Sequence, residues 1–256
     1  MMTGYASRWC LAAVSTFAVW TWTASPAAAA NKVVIVQTNS AGDNVHVIDP
    51  ETNKVIGEIE GIEVNHGAAI APDGSRIYVS DEALSTLDVV DAKTLKVIKK
   101  VPLSGHPNNL AVGRDGRRVY VGIIQAPGGV DVIDTASLQR VKTLPTHGTI
   151  HNAYVTPDQK TLVVCSRLNN ALYSYSLPDL KVTGTVFLGG KGAAWVTLTP
   201  DGKKAYVANP VTDDVSVVDL ASMKEIALIP VGYVPKRNTT GTLQLTTLPS
   251  RTPGGR

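Results

Sequence analysis

Histidine is the side chain of this sequence best suited to chemistry, and its placement is uneven. Four of the five histidines, His66, His106, His147 and His151, fall in the same part of a unit that recurs along the chain; the fifth, His46, does not. The unit is marked by the turns Ala71-Pro72-Asp73-Gly74, Gly113-Arg114-Asp115-Gly116, Thr156-Pro157-Asp158-Gln159 and Thr199-Pro200-Asp201-Gly202. Seven residues before each turn aspartate stand His66, Asn108, His151 and Ala194, a column that extends into the C-terminal segment as Arg237. The next column reads Gly67, Asn109, Asn152, Trp195 and Asn238. Neutral imidazoles suit copper or zinc, so His66 and His151, assisted by His106 or His147, form a candidate metal site. The wider set His66, Asn108, Asn109, His151, Asn152, Trp195, Arg237 and Asn238 would equally serve a small polar ligand or a protein partner. A third reading is purely structural: polar side chains at strand ends satisfy backbone groups.

Other chemistry finds little support. There is no Cys-x-x-Cys-His for haem attachment, and neither a Ser-His-Asp set nor paired carboxylates can be argued from spacing. Gly189-Gly190-Lys191-Gly192 lacks the Ser or Thr and the following helix of a phosphate loop. The net charge of +3 is made of interspersed acids and bases, which gives no basic footprint for nucleic acid. The turn aspartates and the strand-end Asp49, Asp91, Asp134 and Asp219 read as turn-forming groups rather than calcium ligands.

The elements that must position these residues follow from the same repeat. Turn aspartates recur at intervals of 42, 43 and 43 residues, and Val47-Ile48-Asp49, Val89-Val90-Asp91, Val132-Ile133-Asp134, Ser174-Tyr175-Ser176 and Val217-Val218-Asp219 keep the same beat. Each unit divides into four short strand patterns separated by Asp-Gly or Gly/Pro turns. A period near 40 with four strands per unit predicts an all-β chain, a β-propeller of four-stranded antiparallel blades. Four complete units run from about 62 to 232, and residues 32–60 supply only three strands of a fifth. The segment 235–244 reads as an isolated first strand, so five blades are expected, closed by that C-terminal strand completing the N-terminal blade. In such a ring the first strand of each unit lines a central channel, and the histidine column rims one of its mouths.

Residues 1–30 carry a secretory pattern: Arg8, an apolar stretch from Trp9 to Trp22, and Ala28-Ala29-Ala30 before Asn31. The expectation is a signal peptide over 1–30, a propeller domain over 31–244, a disordered tail over 245–256, and periplasmic or secreted location. No later segment is long and apolar enough to span a membrane. Cys165 is the single cysteine after residue 30, set in the buried-strand pattern Leu162-Val163-Val164-Cys165.

The motifs Ile77-Tyr78-Val79-Ser80, Val119-Tyr120-Val121-Gly122 and Ala205-Tyr206-Val207-Ala208-Asn209, each following its Pro-Asp-Gly-type turn, resemble those of the YVTN-type β-propeller repeat proteins. The resemblance covers the whole chain after residue 30. It implies kinship with secreted and surface-layer propellers, lactonase-like enzymes, and the propeller domains of nitrous oxide reductase and cytochrome cd1. Such propellers commonly have seven blades, and this chain shows five. The nitrous oxide reductase resemblance points to copper, but its cupredoxin-like domain has no counterpart here. Lactonase-like members use acidic channel residues, where this chain has His, Asn, Ala and Arg. The function expected is therefore binding: an exported scaffold recognising a protein, a cell-envelope component or a small polar ligand at the channel mouth. The alternative is a copper or zinc enzyme or electron-transfer accessory.

Overall fold

A computed structural model of the chain describes Met1 and residues 32–146 and 148–242. The chain divides into two compact units, Met1–Lys32 and Val33–Arg256, and the first lies almost wholly outside the described residues. The signal peptide expected over 1–30 and the tail expected over 245–256 therefore fall on residues that are not described.

The 42–43-residue repeat folds as five antiparallel sheets. The first has three strands, β1 (Ile35–Asn39), β2 (Asn44–Asp49) and β3 (Lys54–Glu60). The second comprises β4 (Asn65–Ile70), β5 (Arg76–Asp81), β6 (Thr86–Asp91) and β7 (Lys96–Pro102). The third comprises β8 (Pro107–Val112), β9 (Arg118–Ile123), β10 (Gly129–Asp134) and β11 (Gln139–Leu144). The fourth runs through β12 (Ile150–Val155), β13 (Thr161–Ser166), β14 (Ala171–Ser176) and β15 (Val182–Phe187). The fifth holds β16 (Trp195–Leu198), β17 (Lys204–Asn209), β18 (Asp214–Asp219) and β19 (Lys224–Pro230). In the four-stranded sheets each strand pairs with its sequence neighbour, so every sheet is a meander running from inner to outer edge. This is the blade architecture of a β-propeller.

The turns behave as their chemistry dictates. Asp73, Asp115, Asp158 and Asp201 each accept the backbone N–H two residues on, at 3.0–3.1 Å. Asp91 and Asp134 do the same in the turn after the third strand, at the same end of the blade, each accepting two backbone N–H bonds. The carboxyls of Asp73, Asp91, Asp134, Asp158, Asp201 and Asp219 are held below the usual carboxylate range by these backbone and Ser/Thr hydrogen bonds.

Four apolar cores lie between consecutive sheets. Val45, Val47 and Ile59 of the first pack on Ile77, Val79 and Val90 of the second. Tyr78, Leu87 and Val89 meet Val119, Val121 and Ile133 of the third. Tyr120, Val130 and Val132 meet Leu162, Val164 and Tyr175 of the fourth. Val163, Cys165 and Leu172 meet Val196, Leu198 and Val207 of the fifth. Burying each such side chain stabilises by about 1.5–3 kcal/mol. Strands β6, β10 and β14, covered on both faces, are buried at every position but the last. Strand β2 instead alternates, with Val45 and Val47 buried and Asn44, His46 and Ile48 half-buried. At the far end, Tyr206 is half-buried where Tyr78 and Tyr120 are fully so.

The C-terminal segment departs from expectation. Residues 231–242 form no strand, and the fourth strand expected for the first sheet from 235–244 is not formed over 235–242. The side chains of this segment bind the fifth sheet instead. The Asn238 amide donates to the Tyr206 carbonyl at 2.9 Å, and the hydroxyls of Thr240 and Thr197 lie 3.1 Å apart. The segment nevertheless starts as an inner strand starts. Val234 N–H donates to the Asp213 carboxyl at 2.7 Å, just as Val64 N–H, ahead of β4, donates to Asp43 at 3.4 Å. Both pairs are 21 residues apart, and all four residues have positive φ. Among the described residues no helix is long and apolar enough to cross a membrane.

Candidate functional site

The inner strands β4, β8, β12 and β16 begin at a mouth framed by loops and end at the Pro-Asp-Gly turns. At the loop-side mouth, three of them break register: between Asn65 and Ala68, between Pro107 and Leu110, and between Ile150 and Asn152. These irregularities fall on His66–Gly67, Asn108–Asn109 and His151. A bulge leaves its extra residue out of the ladder and re-aims its side chain, so the candidate residues are presented by the backbone itself.

A seam between blades backs the loop-side ends of three inner strands and fixes the bulges at His66 and Asn108. Thr38 donates to the His66 carbonyl at 3.0 Å, Ser80 to the Asn108 carbonyl at 2.6 Å, and the Cys165 thiol to the Ala194 carbonyl at 3.0 Å. In each case a donor on the preceding sheet, on β1, β5 or β13, holds the backbone at the start of the next blade's inner strand; the residue held is His66, Asn108 or Ala194, the last in the same column of the repeat.

Two ionisable groups unforeseen from the sequence complete the site. His66 Nε2 forms an ion pair with the Glu82 carboxylate. Arg167 holds the place of Glu82 two repeats later, just past the end of β13, where its N–H donates to the Thr149 carbonyl at 3.1 Å. The His151 ring lies 6.2 Å from the Trp195 ring with the planes tilted by 56°. Burial holds the His151 imidazole below its ordinary pKa; the positive charges of Arg167 and His66 push the same way, and Glu82 opposes them. His151 is therefore neutral at pH 7, and it makes no hydrogen bond to the described residues.

The structure thus gathers His66, His151 and Trp195 with Glu82 and Arg167, with the half-buried Asn108 at the same register on the intervening strand. Asn109 and Asn152, one residue deeper, line a channel cavity of about 560 Å³. His106 is exposed, and its backbone shapes the loop by bonding to Gln125 and Ile124. His147 lies outside the described residues. Arg237 is exposed, and Asn238 is spent on the fifth sheet. Among the described residues no group of three or more His, Cys, Asp or Glu side chains is placed to hold a metal.

Five meandering antiparallel sheets, with histidine, arginine and indole side chains at the loop-side ends of their inner strands, define a β-propeller in form. The family model for the cytochrome d1 heme domain matches residues 29–169, and the chain belongs to that family. No curated protein sequence matches it. Among solved structures it is similar to hydrazine synthase of Kuenenia stuttgartiensis, with 18% identity, a TM-score of 0.61, and 80% of this chain and 86% of that one covered. It is similar to a functionally unknown protein of Desulfotomaculum acetoxidans, with 14% identity, a TM-score of 0.70, and coverage of 79% and 67%. It also resembles the dihydro-heme d1 dehydrogenase NirN in complex with DHE, with 19% identity and a TM-score of 0.67. There 82% of this chain is covered but only 47% of that one. At these identities the likeness is one of fold.

Proposed function

We propose that this chain is an exported binding propeller whose loop-side channel mouth takes a planar, carboxylated tetrapyrrole of the heme d1 type. The carrying observation is the pairing of a neutral, hydrogen-bond-free imidazole, His151, with the nearby cation Arg167. The donor set fits such a group. A neutral imidazole can ligate iron, a guanidinium suits a ring carboxylate, and the Trp195 indole offers an aromatic surface. His151 would hold the iron and Arg167 a carboxylate, while Glu82 keeps His66 oriented beside them. When bound, the tetrapyrrole would supply a redox-active iron. The chain's own part is to bind and orient it, and it has no part in this reading beyond that.

The earlier expectation of copper or zinc at His66 and His151, assisted by His106 or His147, has weaker support. The nearest third donor, Glu82, is already engaged by His66. Titrating the purified protein with ferric protoporphyrin, beside copper and zinc, tests both readings. A saturable Soret shift that is lost in His151→Ala and weakened in Arg167→Ala is expected. A shift indifferent to His151, or none, overturns the tetrapyrrole reading, and stoichiometric copper or zinc held by both histidines would restore the metal reading.

A further inference from the structure

The other end of the channel breaks the repeat at two residues that touch each other. The four turns carry Pro72, Arg114, Pro157 and Pro200 in one position, and Gly74, Gly116, Gln159 and Gly202 two residues later. Arg114 thus replaces a proline in the third blade, and Gln159 replaces a glycine in the fourth. Gln159 keeps the glycine's backbone, with φ of 62° against 68–70° for Gly74, Gly116 and Gly202. A side chain held in that left-handed region is disfavoured and persists where something gains from it.

The gain is visible in its contacts. The Arg114 N–H donates to Gln159 Oε1 at 2.8 Å, a bond proline could not make, and Gln159 Nε2 donates to the Thr156 carbonyl at 2.9 Å. The two departures clamp neighbouring blades together and put Arg114, an exposed residue, among those lining the 560 Å³ cavity. Inward from the rim apolar side chains, Val112 and Val155 among them, share the lining with the amides of Asn109 and Asn152 and the hydroxyls of Thr197 and Thr240. Among the described lining residues Arg114 is the sole charged side chain. A cavity of this size, lined by apolar side chains, amides and hydroxyls in similar measure and by one cation, matches a small organic ligand carrying a single negative charge.

We infer that the turn-side end of the channel is a second binding site, distinct from the histidine mouth, for a small organic monoanion with an apolar body, anchored by Arg114. The inference does not rest on the tetrapyrrole reading. Its test is calorimetric titration of the purified protein with 1-naphthoate and with the uncharged 1-naphthamide. Naphthoate is expected to bind saturably at one site, with naphthamide about tenfold weaker. Arg114→Pro restores the residue of the other blades, and Arg114→Gln retains the N–H that Gln159 accepts. Both are expected to remove the preference for the anion, while His151→Ala leaves it unchanged. Absence of saturable naphthoate binding to the parent protein overturns the inference. So does a preference for the anion that survives both Arg114 variants, or one that is lost in His151→Ala instead.

Discussion

The Cys165 thiol lies 3.0 Å from the Ala194 carbonyl oxygen, across the boundary between the fourth and fifth blades. Ser80 makes the equivalent bond to Asn108 two blades earlier. Cys165, the one cysteine among the described residues, is thus a seam donor, fully buried, and burial pushes its thiol from 9.0 up to about 12. It should resist alkylation at pH 8 in the native protein and react at once in denaturant. Cys165→Ala, which removes both volume and donor, should cost about 1–2 kcal/mol in urea unfolding, and Cys165→Ser less. Because the folded thiol ionises later than the unfolded one, its contribution is intact below pH 9 and declines between pH 9 and about 12.

Lys100 reaches into the second blade to bond Asp88, Asp81 at 3.3 Å and the Gly61 carbonyl at 3.1 Å, and both carboxylates are fully buried. Lys100→Met leaves them without a counter-charge and should destabilise the protein by about 3 kcal/mol at pH 7. Burial holds the Asp88 carboxyl above the usual range even with Lys100 and Thr86 opposing. Protonation therefore favours the folded variant, and part of the loss should return as unfolding is measured at progressively lower pH.

His151 should show the opposite dependence. Its folded pKa is depressed, so its contribution is complete above about pH 6.5 and is lost as pH falls below that value. His151→Gln should flatten the acid limb of the stability profile, measured by thermal melting between pH 4 and 8. The Soret band of a bound iron tetrapyrrole should persist to a lower pH than free imidazole would allow. Titration of His151 by NMR at or above 6.5 would contradict the geometry.

Gly128 has φ of +80°, and a Cβ there would drive into the Gly148 backbone. Gly128→Ala should cost about 3 kcal/mol or more, since neither the conformation nor a backbone neighbour can yield cheaply. Gly232→Ala, where a Cβ meets nothing within 4 Å, should leave the melting temperature unchanged.

What could be read without the structure was whatever the repeat enforces. Strand positions, the Asp-turn chemistry at Asp73 and Asp91, and the burial of Tyr78 and Tyr120 recur from blade to blade, so the period discloses them. The bulges at His66, Asn108 and His151 were not legible, because an alternating apolar pattern carries no mark of an extra residue. Glu82 and Arg167 were missed because they lie just past a strand, at a position where the four complete repeats disagree; comparing that column across them would have found the pair. The strand expected from 235–244 failed for another reason. Strand formation needs a partner edge as well as a pattern, and over 235–242 the Asn238 amide and the Thr240 hydroxyl bond the fifth sheet instead.

The pairing of Asp213 with Val234, which copies that of Asp43 with Val64, makes chain length a free variable of this architecture. The chain passes Val234 with the same handshake that delivers it into the second sheet at Val64. A further 42–43-residue unit spliced after Val234 would find its first bond already made. It would have the half-buried Tyr206 as the floor of its core, and no existing contact among the first four sheets would need to change. Growth and truncation by whole blades are, for such a chain, moves along one coordinate.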